Sequence, residues 1–180
     1  GTLAGARLTK VGTGALTLAG TGTLSNTLLV NGGTVNVTGA YTTPAGVSAG
    51  ATLNVATGGA LTGAVVSAAT SNLIVNGTIT GAVNNGGLLT GTGIIVGAVS
   101  NSGTINPGTV GTAGILRITG PFTQTAVGTL AVDVSPSAVV GTGYDQLLVT
   151  GAAALAGNLA LTAPTGPTAG WCRAANREAC

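Results

Sequence analysis

The chain lacks histidine and methionine altogether, holds one tryptophan, one phenylalanine and two tyrosines, and only 4% of its 180 residues are charged. Without histidine, Ser-His-Asp and Cys-His nucleophilic arrangements are excluded, together with histidine-based metal sites. Cysteine is confined to Cys172 and Cys180. Residues 1–171 contain none, which fits export, where stray thiols cross-pair. The pair can close a small loop, but there is no CxxC motif. The five basic residues, Arg7, Lys10, Arg117, Arg173 and Arg177, are scattered. They form neither a stripe for nucleic acid nor a polybasic patch for anionic lipid. No run of about 18 apolar residues exists to span a membrane as a helix. The N-terminus has no basic segment followed by an apolar one, so an exported form is expected to carry its signal upstream of Gly1.

The shortage of charge does not mean disorder. Apolar residues make up 44% of the chain, mostly leucine, alanine and β-branched residues at alternating positions, and glycine occurs 33 times. A phrase returns along the chain: a glycine, an alternating apolar strand, then a small or polar turn. Examples are Gly14-Ala-Leu16-Thr-Leu18, Gly33-Thr-Val35-Asn-Val37, Thr52-Leu53-Asn-Val55 and Gly157-Asn-Leu159-Ala-Leu161. Leu16, Val35, Leu53 and Leu73 recur at nearly even spacing. A short period of this kind, built from about three short strands and turns, predicts a β-solenoid of about nine short coils.

Strands are predicted at Ala15–Leu18, Thr27–Val30, Thr34–Val37, Thr52–Val55, Asn72–Val75, Thr78–Thr80, Gly93–Val96, Ile115–Thr119, Thr129–Val134, Gln146–Val149 and Asn158–Leu161. Asn31-Gly32-Gly33, Asn76-Gly77, Asn84 to Gly87 and Asn106-Pro107-Gly108 read as corners, since Asn and Gly tolerate positive φ. Asn36 and Asn54 share a phase and are expected to form a side-chain ladder. No helical pattern is present; Gly151–Ala156 reads as a strand and corner of small residues. From Gly103 onward the spacing between phrases becomes irregular. Residues 163–170 read as a linker-like break, and Trp171–Cys180 departs from the repeat. The organisation expected is a solenoid over residues 1–165 and an atypical tail over 166–180, which is a cap, a disordered end or sequence foreign to the fold.

Lys10-Val-Gly12-Thr-Gly14-Ala-Leu16-Thr-Leu18-Ala-Gly20, followed by Thr27-Leu-Leu-Val-Asn31-Gly32-Gly33-Thr34-Val35-Asn36-Val37, resembles the autotransporter-associated β-strand repeat. The link Ser25-Asn26-Thr27 is shorter than is usual there and lacks its tyrosine. The stretches 103–108, 114–124 and 144–159 are similar to the passenger stem of the same proteins. The resemblance covers about residues 8–165. It implies a right-handed parallel β-helix, exposed on the surface of a Gram-negative bacterium after export across the outer membrane. It also implies a C-terminal outer-membrane barrel, which this chain does not contain, so the chain resembles a fragment or a shortened product.

Few residues invite a chemical role, and no catalytic, cofactor-binding or metal site is expected, nor any cofactor. Before the tail the only acids are Asp133 and Asp145. An acid/base pair, as in glycoside hydrolysis, is one reading of them. The structural reading is favoured: Asp133, inside Leu130-Ala-Val132-Asp-Val134, is expected to point outward as a solvated strand residue, and Asp145 suits a turn. Lys10 and Arg7 are expected to be exposed charges that discourage pairing at the sheet edge. Gly-x-Gly pairs never complete a phosphate-binding loop, and the sequons at Asn36 and Asn76 carry no weight in Asn/Thr-rich sequence. The function expected is a structural and adhesive surface module without catalysis, with a host or cell-surface ligand as partner and no nucleic acid. The alternatives are a self-assembling fibre and, more remotely, a polysaccharide-acting β-helix enzyme.

Overall fold

In a computed structural model, residues 1–135 and 139–162 are described. They form three parallel sheets of eight strands each, and no helix occurs among them. Successive strands along the chain enter the first, second and third sheets in turn, then the cycle repeats one level higher. The first level comprises Thr2–Gly5, Leu8–Lys10 and Ala15–Leu18; the second comprises Thr21–Leu24, Leu28–Val30 and Thr34–Val37. The expected β-solenoid is therefore present, with eight strands in each sheet against the nine or so coils anticipated. The tail over 166–180 lies outside the described residues.

The repeated phrase of the sequence is the third sheet. Leu16, Val35, Leu53, Leu73, Leu89, Ile105, Leu130 and Leu159 stand in register in one inward file. A first-sheet file carries Leu3, Gly22, Tyr41, Leu61, Ile79, Ile95, Ile118 and Val149. The second sheet contributes Leu8, Leu28, Ala45, Val65, Val83, Val99, Phe122 and Ala153. Most of the middle members are fully buried, and each Val, Leu or Ile so placed is worth about 1.5–3 kcal/mol. Tyr41 fits because its lower neighbour is Gly22: a Cβ there would come within 2.5 Å of the ring. Corners are tight as well. Gly63, Gly81, Gly97 and Gly120 stack with φ between 148° and 155°. A Cβ at any of the last three would lie 2.3–2.5 Å from the carbonyl oxygen of the glycine below.

Three expectations need correction. Asn85, Asn106 and Pro107 are strand residues, not corner residues, and Asn85 is 1% exposed. Tolerance of positive φ suggests a corner for asparagine, whereas Asn85 uses its amide inside the core. Lys10 is half-buried rather than a free edge charge. Its Nζ donates to the carbonyl oxygens of Val11, Gly12 and Gly32, at 2.7, 2.8 and 3.1 Å, tying one corner to the corner above. Asp133 is buried, at 7% exposure, rather than solvated. Its parity along the strand is outward, as alternation requires, but two long corner loops cover it.

Candidate functional site

Two polar constructions distinguish this solenoid from a plain apolar stack. The first is a file along the C-terminal ends of the second-sheet strands: Lys10, Val30, Val47, Ser67, Asn85, Asn101 and Gln124 are in register. Ser67 Oγ donates to Asn85 Oδ1 at 2.8 Å, and Asn85 Nδ2 donates to Asn101 Oδ1 at 2.8 Å. The amides also donate to backbone carbonyls of the corner that follows and of the third-sheet strands one level up. Asn85 Nδ2 reaches Gly87 O and Thr104 O, Asn101 Nδ2 reaches Thr129 O, and Gln124 Nε2 reaches Ala156 O and Asn158 O. A parallel stack turns the chain sharply at every level, and corner carbonyls in a dry interior must find donors. The outer ladder expected at Asn36 and Asn54 is present, with Asn54 Nδ2 donating to Asn36 Oδ1 at 3.0 Å.

The second construction lies where the repeat loses its regular spacing. Leu73, Leu89 and Ile105 follow one another at an even interval, but the steps from Ile105 to Leu130 and from Leu130 to Leu159 are much longer. Both excess lengths fall at the corner between the third and first sheets, on adjacent levels: residues 108–114 and residues 134–145. In the lower loop, Thr109 and Thr112 exchange backbone hydrogen bonds around a tight turn. The upper loop is closed at its base by Asp145 N donating to Asp133 O at 2.9 Å, and Val134 bridges to Tyr144.

The two aspartates join these loops. Asp145 Oδ1 accepts from Gly114 N at 2.7 Å and its Oδ2 accepts from Asp133 N at 2.8 Å. Asp133 Oδ2 accepts from Gly111 N at 2.8 Å, while its Oδ1 is buried without a partner. Asp145 is 5% exposed. Burial pushes its carboxyl above the usual carboxylate range; the two amide hydrogen bonds pull down, and the neighbouring Asp133 adds a further upward push. Between the loops is a cavity of about 270 Å³ lined by Gly111, Thr112, Asp133, Ser135, Thr142, Gly143 and Thr162 among others.

The fold thus brings together the two acids that the sequence offered as a remote acid/base pair. It does not bring Arg117 to them as a hydrogen-bond partner. Arg117 is exposed on the outer face of the first sheet, in register with Ile94 and Leu148. The amide bonds give the carboxylates a positioning role in which they hold two loops at fixed separation. What sequence reading missed is the inner amide file. Its signal was present, since Ser67, Asn85 and Asn101 recur at the period of the coil.

The outer surface is a lattice. Thr23, Thr42, Thr62 and Thr80 form one exposed file on the first sheet, with Val96 and Thr119 continuing it. Parallel pairing fixes the step between such side chains at about 4.8 Å. Among the described residues no group of three or more His, Cys, Asp or Glu side chains gathers as a metal-binding cluster. No protein-family model, curated protein or solved structure matches this chain.

Proposed function

We propose that this chain is a structural and adhesive module of a bacterial cell surface, a stem segment of an autotransporter passenger with no catalytic task. The observation that carries the reading is the parallel three-sheet stack, whose first two levels are built from the Lys10–Gly20 and Thr27–Val37 repeat. The half-buried Lys10 and the glycines after it give that motif a physical reason: they make a corner that the next level can sit on. Such a rod holds whatever lies beyond it away from the cell and presents ordered hydroxyl and amide files to a host or cell-surface ligand. An outer-membrane barrel in the complete protein, and export to the surface of a Gram-negative cell, belong to the same proposal. Beads coated with the purified chain are expected to adhere to host cells, and Thr42→Lys with Thr62→Lys to reduce that adhesion. Coated beads that adhere no better than bare ones would remove the adhesive part of the reading.

A second reading, end-to-end assembly into fibres, has one specific observation in its favour. Leu155, Leu159 and Leu161 on the last described level are 70%, 63% and 67% exposed, although Leu159 continues a core file. Unpaired parallel edges with apolar ends are templates for another copy. Sedimentation of the protein should then show concentration-dependent association that Leu159→Lys abolishes; a monomer at all concentrations rejects fibres.

A further inference from the structure

We propose that Asn31–Gly32 is a self-modifying site, at which the Asn31 side chain cyclises onto the Gly32 amide nitrogen and opens in water to isoaspartate or aspartate. The sequence holds three Asn-Gly pairs, at 31–32, 76–77 and 85–86. Glycine after asparagine leaves the backbone nitrogen unshielded by a Cβ. The local sequence therefore treats the three pairs alike, and the fold separates them. Gly77 N donates to Val55 O at 3.0 Å, and Gly86 N donates to Ser67 O at 2.8 Å. Each of those nitrogens is committed to the coil below, and Asn85 is buried besides. Gly32 N makes no hydrogen bond among the described residues, and Asn31 is exposed at its corner.

Two neighbours assist at Asn31. Ser48 Oγ donates to Asn31 Oδ1 at 3.0 Å and polarises the carbonyl that is attacked. Lys10 Nζ donates to Gly32 O at 3.1 Å, so a cation stands beside the nitrogen that must lose its proton. The Asn76 and Asn85 carbonyls are polarised likewise, by Thr92 and Ser67, so what sets Asn31 apart is the uncommitted nitrogen. In the first step the bond from Gly32 N to Asn31 Cγ forms and the Cγ–Nδ2 bond breaks. The proton of Gly32 N leaves with Nδ2 as ammonia, and a cyclic imide remains. Water then adds to either ring carbonyl. One opening restores the backbone as aspartate; the other routes it through the former side chain as isoaspartate. Residues 11–116 carry no charged side chain, so either product places the first anion in that stretch, at the corner that Lys10 ties down. This inference does not depend on the surface-rod reading.

The test ages the whole 180-residue chain in mildly alkaline buffer, native and in guanidinium chloride. Pepsin digestion in acid halts the reaction, and fragmentation mass spectrometry locates each product. In the native protein Asn31 should convert at least about tenfold faster than Asn76 or Asn85, whose neighbouring nitrogens must first give up a backbone hydrogen bond. In guanidinium chloride the three should convert at similar rates. Asn31→Gln, which would need a larger and slower-forming ring, should remove most of the acidic forms that accumulate in the native chain. Native conversion at Asn31 no faster than at Asn76 or Asn85 overturns the proposal. So does a native ranking that persists in denaturant, because the cause would then lie in the local sequence and not in the fold. Undiminished acidic forms in a folded Asn31→Gln overturn it as well. Should that variant fail to fold, the unaltered chain in the two buffers decides.

Discussion

Asn85 is an amide placed where a solenoid of this composition would be expected to use valine, and its hydrogen bonds to Ser67, Gly87, Asn101 and Thr104 explain why. Asn85→Ala leaves Ser67 Oγ and Asn101 Oδ1 without their partner in a dry interior and removes one hydrogen bond each from Gly87 O and Thr104 O. Each such orphan costs about 1–3 kcal/mol, so the variant should lose at least about 2 kcal/mol in urea denaturation. Asn36→Ala, on the solvent side, should lose under about 1 kcal/mol. Equal losses would show that the inner file is ordinary polar filler. Asp145 makes a pH prediction of definite sign. Its folded pKa lies above the reference 3.8, so in that window the native state holds the proton that the unfolded chain releases. The stability it contributes is complete below 3.8 and is lost as pH rises through the folded value. The stability of the unaltered protein relative to Asp145→Asn should therefore fall on going from about pH 3 toward neutrality. A difference that rises with pH would reverse the assignment of burial as the dominant cause.

Strands here are three to five residues long, apart from the two-residue Ala153–Ala154, and their boundaries follow from what fits at the corners. Where a strand carries two inward apolar residues, as in Thr34–Val37, Thr52–Val55 and Asn72–Val75, its limits can be read directly from alternation. Strands such as Ala40–Thr42, Val83–Asn85 and Val99–Asn101 are not legible, because one inward position is apolar and the other is polar or absent. Corners are more demanding than strands. Gly97 has φ 154° and its missing Cβ would sit 2.3 Å from Gly81 O, whereas Gly58 has φ 80° with open space around it. Gly97→Ala should cost well above about 2 kcal/mol and Gly58→Ala about 1 kcal/mol, measured by thermal unfolding. A similar cost at both sites would mean that the stacked corner relaxes freely.

For the whole molecule, each level rests on its neighbours, so stability is close to a sum over levels and interfaces. Removing residues 73–88, one whole period, rejoins Asn72 to Leu89 with every file kept in phase. The shortened protein should remain folded, with a midpoint only a few degrees lower. Deleting half a period from the same region shifts three sheets out of register and should abolish cooperative folding. If both deletions behave alike in circular dichroism melts, the levels are not the independent units that the register implies. The regular levels and the two loop-bearing levels also differ in what holds them. Both carry the apolar files, and the latter add the Asp133 and Asp145 hydrogen bonds that join their two loops.

The amino-acid sequence alone determined the winding. Residues that recur at one short period with the same alternation can share a buried file only by stacking in parallel, and glycine and asparagine between them allow the bends. It also determined that histidine chemistry is absent, because composition needs no fold to be read. Only the tertiary structure decided the fate of the few polar residues. Parity along a strand says which side a residue leaves from, not what covers that side. Asp133 was buried by loops that its strand parity does not announce, and Asn85 and Lys10 found the carbonyls of Thr104 and Gly32 on the next level. Those partners are distant along the chain and adjacent only after the coil closes, so no local pattern announces them.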